Sequence, residues 1–278
     1  MKLTLTLAAL LIAVLAHAQE SQNSPWMSLE NRIGLALGIG SVKYVDKNSS
    51  PLTYQSRPKI VRLFYNLESN TFLFSVDLEA KVGSTTARDH QNRTIYFQEE
   101  DYKGNRKDKK FPVGGSFVAG RISLGAYYKI SSTQESTFKV AVGGRIMNEL
   151  FYPQGWTSGG MFNALSLSPE AWTQHRVNAY HQFTALVRIP IVARLSRLPY
   201  DNTVSAPDHT QVQGFFRNSS WVSPKKFLAP AVAVNYNYQI DTGWGTGLNY
   251  ELTWYNIRTP QQMKALNQSL LANLHHQF

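Results

Sequence analysis

Long stretches of this chain alternate apolar and polar residues with period two. In "TFLFSVDLEAKVG" (71–83), Phe72, Phe74, Val76, Leu78, Ala80 and Val82 fall on one side. Leu73, Ser75, Asp77, Glu79 and Lys81 fall on the other. Successive side chains leave a β-strand on opposite faces, so this spacing predicts a strand with one greasy and one wet face. The pattern returns in "NRIGLALGIGSVKY", "PKIVRLFYNLE", "GSFVAGRISLGAYYKI", "TFKVAVGGRIMNELFY", "FLAPAVAVNYNYQI" and "GTGLNYELTWY". These runs match the about 9–11 residues that a tilted strand needs to cross a bilayer. Soluble strands average about five or six.

The connections alternate too. Short links at 67–70, 131–136 and 241–245 are interleaved with long polar stretches at 44–57, 84–114, 153–175 and 199–226. Tight turns at one end and long loops at the other are the pattern of a transmembrane barrel, in which closure pairs every backbone group. The expectation is an all-β, antiparallel up-and-down barrel of about ten strands (8–12 possible). The strands are expected at 31–43, 58–67, 71–83, 115–130, 137–152, 176–188, 191–198, 227–240, 245–256 and 267–278. In "ALVRIPIVARLSR" a turn is expected near Ile189-Pro190, because proline cannot donate to a ladder. "MFNALSLS" (161–168) could add a further segment. Tyr127, Tyr128, Tyr236, Tyr238 and Trp244 flank short turns, and Phe151, Tyr152 and Trp254 sit near the opposite strand ends, as interfacial girdles require.

The start "MKLTLTLAALLIAVLAHAQ" has Lys2, an apolar run and Ala16-His17-Ala18, which reads as a signal peptide over 1–18 followed by one barrel domain, 19–278. There is no cysteine, which excludes a disulfide scaffold. The formal charge is +10. For an exported chain this implies outer-membrane lipid and lipopolysaccharide as partners, and not nucleic acid.

The chain ends "SLLANLHHQF", with Leu274, His276 and Phe278 on one face. With the leader and the loop pattern, it resembles bacterial outer-membrane β-barrel proteins, and in flavour the uncharacterised barrels of Bacteroidota. The resemblance implies that the terminal aromatic is a signal read by the barrel-assembly machinery, and that the location is the outer membrane. His276 departs from the aromatic or apolar residue usual two before the end.

The wet faces collect Arg62, Asp77, Glu79, Lys81, Arg121, Lys139, Arg145, Glu149 and Glu251 as lumen-lining residues. Both signs are present, so they can form a plug of paired charges or a selectivity constriction. A barrel of about ten strands has little aqueous space, which favours the plug. Asp89-His90 and Asp208-His209 lie in long loops, and omptin-type proteases are ten-stranded barrels with Asp and His near the external rim. Adjacency in sequence does not make a general base, and solvated loop residues are the plainer reading. None of His90, His175, His181, His209, His275 and His276 precedes a serine by two residues, unlike outer-membrane phospholipases. In "QEEDYKGNRKDKK", Glu99, Glu100 and Asp101 could hold calcium. Lys103, Arg106, Lys107, Lys109 and Lys110 could meet lipopolysaccharide phosphates. No motif calls for a cofactor, a metal or a catalytic set.

The expected function is non-enzymatic: small-solute passage, or surface binding through long loops. The alternatives are a rim-loop hydrolase of omptin type and a soluble exported barrel with its apolar face inside and a ligand cavity.

Overall fold

The structure, a computed structural model, describes residues 30–89, 94–100, 104–112, 114–131, 138–155, 160–197, 210–217, 219–240 and 243–278. The expected leader, 1–18, lies outside them.

The alternating runs form long antiparallel strands. β1 (Glu30–Asp46) rises from the short-turn end. β2 (Ser50–Ser56) and β3 (Lys59–Glu68) descend as one strand interrupted at Arg57-Pro58. β4 (Phe72–Ala87) rises, and a separate hairpin of β5 (Thr94–Glu100) and β6 (Arg106–Pro112) follows it. β7 (Gly114–Ser131), β8 (Phe138–Gly155) and β9 (Phe162–Arg176) continue the meander. β10 (His181–Arg188) and β11 (Val192–Arg197) both pair with β9 and form one rising strand. A short helix, α1 (Gln211–Arg217), precedes β12 (Ser220–Val222), β13 (Phe227–Leu228) and β14 (Ala231–Gln239), which descend in line. β15 (Trp244–Ile257) rises and β16 (Met263–Gln277) returns to pair with β1 from Arg32↔Gln277 to Asp46↔Met263. That pairing closes a barrel of ten strands.

The strand total matches expectation, but two of its members differ. Residues 162–176, expected mostly as loop, form β9, and 181–197 form one strand where two were expected. Pro190 interrupts the ladder without turning the chain. The neighbouring amides reach across to β9 instead: Ile189 donates to Pro169 O at 3.3 Å and Ile191 to Leu167 O at 2.9 Å. Pro169 also breaks the sequence pattern inside β9; it lies opposite the interruption at Pro190, between the Glu170↔Arg188 and Leu167↔Val192 pairs, where the ladder is already irregular. The stretch 44–57 is likewise not a loop. β1 and β2 carry the wall past the apolar band, with a register shift between Tyr44 and Asp46.

Which face points outward is now fixed. Leu37, Ile39 and Leu63 are 55%, 65% and 52% exposed, while Glu79 and Glu251 are 5% and 6% exposed. The apolar residues form the outer wall and the charged ones fill the lumen, the reverse of a soluble barrel with an apolar ligand cavity. An outward apolar band is stable only against hydrocarbon. Tyr128, Phe138, Tyr180, Phe183, Tyr238, Trp244 and Phe278 are exposed around the short-turn end as an aromatic girdle. No described helix is long and apolar enough to cross a membrane.

Close strand approach explains particular glycines. A Cβ on Gly38 would lie 2.0 Å from Leu270 O and 2.7 Å from Leu271 Cα, and one on Gly143 would lie 2.0 Å from Ala126 O. These clashes are with backbone, so no side-chain rotation relieves them. Gly38→Ala is expected to lower stability by about 1–3 kcal/mol, the usual cost of overpacking. Urea titration of the refolded barrel, read by the mobility of unheated samples on a gel, checks it; an unchanged midpoint would show that β1 and β16 part freely.

Candidate functional site

From mid-height to the short-turn end, the charged side chains of the lumen lie at three levels. At mid-height, inward residues of β3, β4, β7, β10 and β15 converge. Arg62 donates to Glu79 through Nε (2.8 Å) and Nη2 (2.5 Å), to Glu251 Oε2 at 3.0 Å and to Asn249 at 3.0 Å. Arg121 forks onto Glu251 at 2.5 and 2.9 Å and reaches Glu79 at 3.1 Å. Arg188 adds a third guanidinium to Glu251 at 2.6 Å, and Lys81 lies 3.2 Å from Glu79. Glu149 accepts from Tyr255 Oη at 2.5 Å. The Arg121–Glu251 fork joins β7 to β15, on opposite sides of the barrel, so the network is a crossbar. Buried charges need such partners, and forked guanidinium–carboxylate pairs are the strongest available.

Just below, Arg145 spends its donors on Asp77 (2.5 Å), Glu170 (2.8 Å), Ser123 (2.7 Å), Ser75 (3.1 Å) and Tyr127 Oη (2.7 Å). Guanidinium has five N–H groups, and all five are accounted for. Nearer the short-turn end, Lys129 donates to Glu68 at 2.6 Å and Lys139 lies 3.4 Å from the same carboxylate. The nine lumen residues named from sequence thus all lie on the inward faces. Eight of them join the two upper networks, and Lys139 stands apart from those. Sequence reasoning missed Glu170, Arg188, Tyr127 and Tyr255. Glu170 falls in the stretch 153–175 expected as a long loop, and Arg188 falls beside the turn expected at Ile189-Pro190. Tyr127 reads as a girdle residue beside a short turn, and Tyr255 is not singled out; closure turns both inward.

The long-loop half is filled differently. Tyr44 stacks on Tyr54 with centroids 5.3 Å apart, and meets Phe151 edge-on at 5.4 Å. Phe151 stacks on Phe162 at 5.1 Å and takes the edge of Phe117 at 5.1 Å, while Phe162 leans on Tyr255 at 5.9 Å. Ala119, Leu195, Val222, Phe227, Ile257 and Met263 pack around these rings. Above them Arg197 pairs with Asp46 and donates to the carbonyls of Thr259 (2.9 Å) and Gln261 (2.5 Å). This half of the lumen is a packed core. Among the described residues, the short-turn half holds a cavity of about 170 Å³ lined by residues from Arg32 and Gln277 up to Arg62, Arg145 and Arg188. That is below the range of about 300–1,000 Å³ usual for ligand pockets, and it ends blind at the crossbar.

The loop candidates fare otherwise. On the β5–β6 hairpin, Lys109 pairs with Glu99, and Arg106 lies 3.4 Å from Glu100. The acidic and basic halves of this segment therefore answer each other across the hairpin, where β5 and β6 are in register at Glu99↔Lys107 and Glu100↔Arg106. Lys110 sits over the Tyr96 ring at 5.4 Å. Asp101 and Lys103 lie outside the described residues, and no described group of three or more His, Asp or Glu could hold a metal. Asp89 is exposed in a turn; His90, Asp208 and His209 are outside the described residues. Two described histidines serve the short-turn end, His181 against Tyr236 Oη (2.8 Å) and His275 against Asn273 (2.9 Å). Leu274 and Phe278 project outward on the last strand, and His276 meets the Trp244 ring edge-on at 4.8 Å.

No family model matches the chain, and no curated protein matches it in sequence. In fold it is similar to the outer membrane protease OmpT from Escherichia coli, with a TM-score of 0.54 and 9% identity, covering 92% of this chain and 99% of that one. It also matches Neisserial surface protein A (TM-score 0.36, 11% identity, 91% of this chain and 99% of that one). A third match is the outer membrane protein OprG from Pseudomonas aeruginosa (TM-score 0.32, 9% identity, 90% and 95%). Of these three, OmpT alone is near enough to carry an argument, and at that identity the argument concerns the fold. The chain has the closed, ten-stranded antiparallel architecture of an outer-membrane β-barrel.

Proposed function

We propose that this chain is a non-conducting barrel of the outer membrane whose working surface is its long-loop end, a surface binding module and not a route for solutes. The observation that carries this is the filled outer half of the lumen, the aromatic stack from Tyr54 through Phe151 to Tyr255 above a crossbar of ion pairs. A pore needs a continuous wet path, and packed rings exclude water. Planar-bilayer recording tests it. The purified barrel should insert without steady single-channel current; steady current from the folded protein would overturn the reading in favour of passage.

Lipopolysaccharide is the proposed partner. The hairpin charges are partly spent on one another, and the wall carries the cations that support this partner. Lys43, Arg57, Lys59 and Lys264 are exposed at this end of the wall: Lys59 pairs with Ile39 at the edge of the apolar band, Arg57 follows it in the break between β2 and β3, and Lys43 and Lys264 lie beyond Ile39 and Leu270. This is the height at which lipid phosphates lie, and each cation near an anionic surface contributes about 1 kcal/mol. Neutralising all four with glutamine should reduce co-purified lipopolysaccharide more than neutralising Lys103, Arg106, Lys107, Lys109 and Lys110. Equal retention by both variants would remove this surface from the reading.

The leader over 1–18, the reading of Leu274, His276 and Phe278 by the assembly machinery, and kinship with Bacteroidota barrels belong to the same proposal and rest on the sequence. A second reading, hydrolysis at the rim, draws on the fold shared with OmpT. It requires Asp208 and His209 to act together, and intact-cell peptide cleavage lost in Asp208→Ala and His209→Ala would support it.

A further inference from the structure

The blind cavity at the short-turn end has two unlike walls. On one arc, β4, β7, β9 and β10 present Leu73, Tyr127, Trp172 and Leu186, which pack into one apolar cluster. On the opposite arc, β3, β14 and β16 present the amides Asn66, Asn235, Asn237, Asn273 and Gln277. The guanidiniums at its roof, Arg62, Arg121, Arg145 and Arg188, are already engaged by Glu79, Glu251, Asp77 and Glu170. Their charges are spent on those carboxylates, so the roof offers a ligand two unpartnered N–H donors, Nε of Arg121 and of Arg188, while the opposite arc offers neutral amides, each able to donate and accept. Gln174 makes this concrete. It lies one inward position from Trp172 on β9, is 3% exposed, lines the cavity, and its Oε1 has no hydrogen-bond partner. Such an orphaned buried acceptor is costly unless something donates to it.

We infer that this vestibule is a binding site for a neutral saccharide unit entering from the short-turn, periplasmic side. A pyranose ring has an apolar C–H face for the Trp172–Leu186 arc and an equatorial edge of hydroxyl or acetamido groups for the amide arc. A hydroxyl of the ring donates to Gln174 Oε1. The cavity's size restricts the bound part to about one ring, with any further rings extending past Arg32 and Gln277 to the mouth. A charged headgroup gains nothing from neutralised arginines, and a purely apolar ligand leaves the amide arc dry. This site is independent of the outer-surface reading above and stands or falls separately from it.

The test uses the full mature barrel refolded in detergent, with N-acetylglucosamine and its β-1,4-linked disaccharide as probes, followed by saturation-transfer NMR. Millimolar binding is expected, with the disaccharide no weaker than the monosaccharide. Gln174→Leu and Asn237→Leu should each weaken it by about tenfold, the effect of losing one buried hydrogen bond. Heat-modifiable gel mobility establishes that each variant is folded. Because Gln174→Leu could disturb packing, Trp172→Phe, which keeps the apolar arc but shrinks its face, serves as a second variant and should weaken binding less. Absence of transfer from either probe to the folded wild type overturns the inference. So does transfer unaltered by all three substitutions, which would place the sugar elsewhere on the protein.

Discussion

Glu251→Ala should prevent the barrel from reaching its heat-resistant form, or lower its urea midpoint more than any other single substitution of a lumen charge. Glu251 receives four guanidinium hydrogen bonds, two from Arg121, one from Arg188 and one from Arg62. Without it, three buried cations are left on Glu79 and on one another. Removing one partner of a buried pair costs about 3–5 kcal/mol, because the remaining charge stays desolvated. That is a large share of a typical stability of about 5–15 kcal/mol. The pair is a tie across the lumen, and the sign of a second substitution tests this. Arg188→Leu in the Glu251→Ala background should recover part of the loss by removing one unpaired charge, although alone it destabilises. Lys139→Ala is the contrasting case: its half-buried ammonium lies at 3.4 Å from a carboxylate that Lys129 already holds, so about 1 kcal/mol or less is expected. Urea titrations in one detergent, read by unheated gel mobility, compare all four. A Glu251→Ala midpoint equal to wild type would mean that lumen water supports the arginines, and the crossbar would lose its structural role.

The second large effect concerns the aromatic plug. Phe162 is 0% exposed, stacked on Phe151 at 5.1 Å and tilted against Tyr255 at 5.9 Å. Phe162→Ala removes a ring that the surrounding wall, locked in its hydrogen-bonded ladder, cannot close over. The expected loss is about 3–5 kcal/mol. On the outer wall the same chemistry behaves differently: Leu37→Ala leaves a dent that detergent or lipid fills, and its cost should be far smaller. Side-by-side unfolding of the two variants separates a packed plug from a loosely occupied lumen. Equal, small losses would show that the outer half of the lumen is wet, and the channel reading would regain its footing. Phe162→Ala should still carry no current, because the crossbar below it remains.

Much of this fold was legible in sequence because a membrane barrel writes its constraint at period two. Asp77, Glu79 and Lys81 on one side and Phe74, Leu78 and Val82 on the other could not both be solvated, nor both be buried in one core. The stretch 153–175, expected as a loop, and the turn expected at Pro190 are where the reading failed. A proline signals a missing donor, and whether the chain turns there or simply skips one bond depends on what lies alongside. Here β9 and β10–β11 lie alongside each other, so two prolines sit in adjacent strands and neither turns the chain. The acidic-then-basic segment at 98–110 was also legible as charge but not as pairing, since only the hairpin register sets Glu99 and Glu100 against basic partners.

The sequence by itself determined eight of the ten strands, their amphipathic faces, and most of the charges that must share a lumen. It could not say which face turned outward, because alternation is symmetric to inversion. It could not say which charge meets which, because Arg62 and Glu251 are neighbours only after ten strands have closed into a ring. Closure also decided that the outer half of the lumen is a packed aromatic core and the inner half a blind vestibule. Those properties belong to side chains from opposite walls, and no local pattern along one strand contains them.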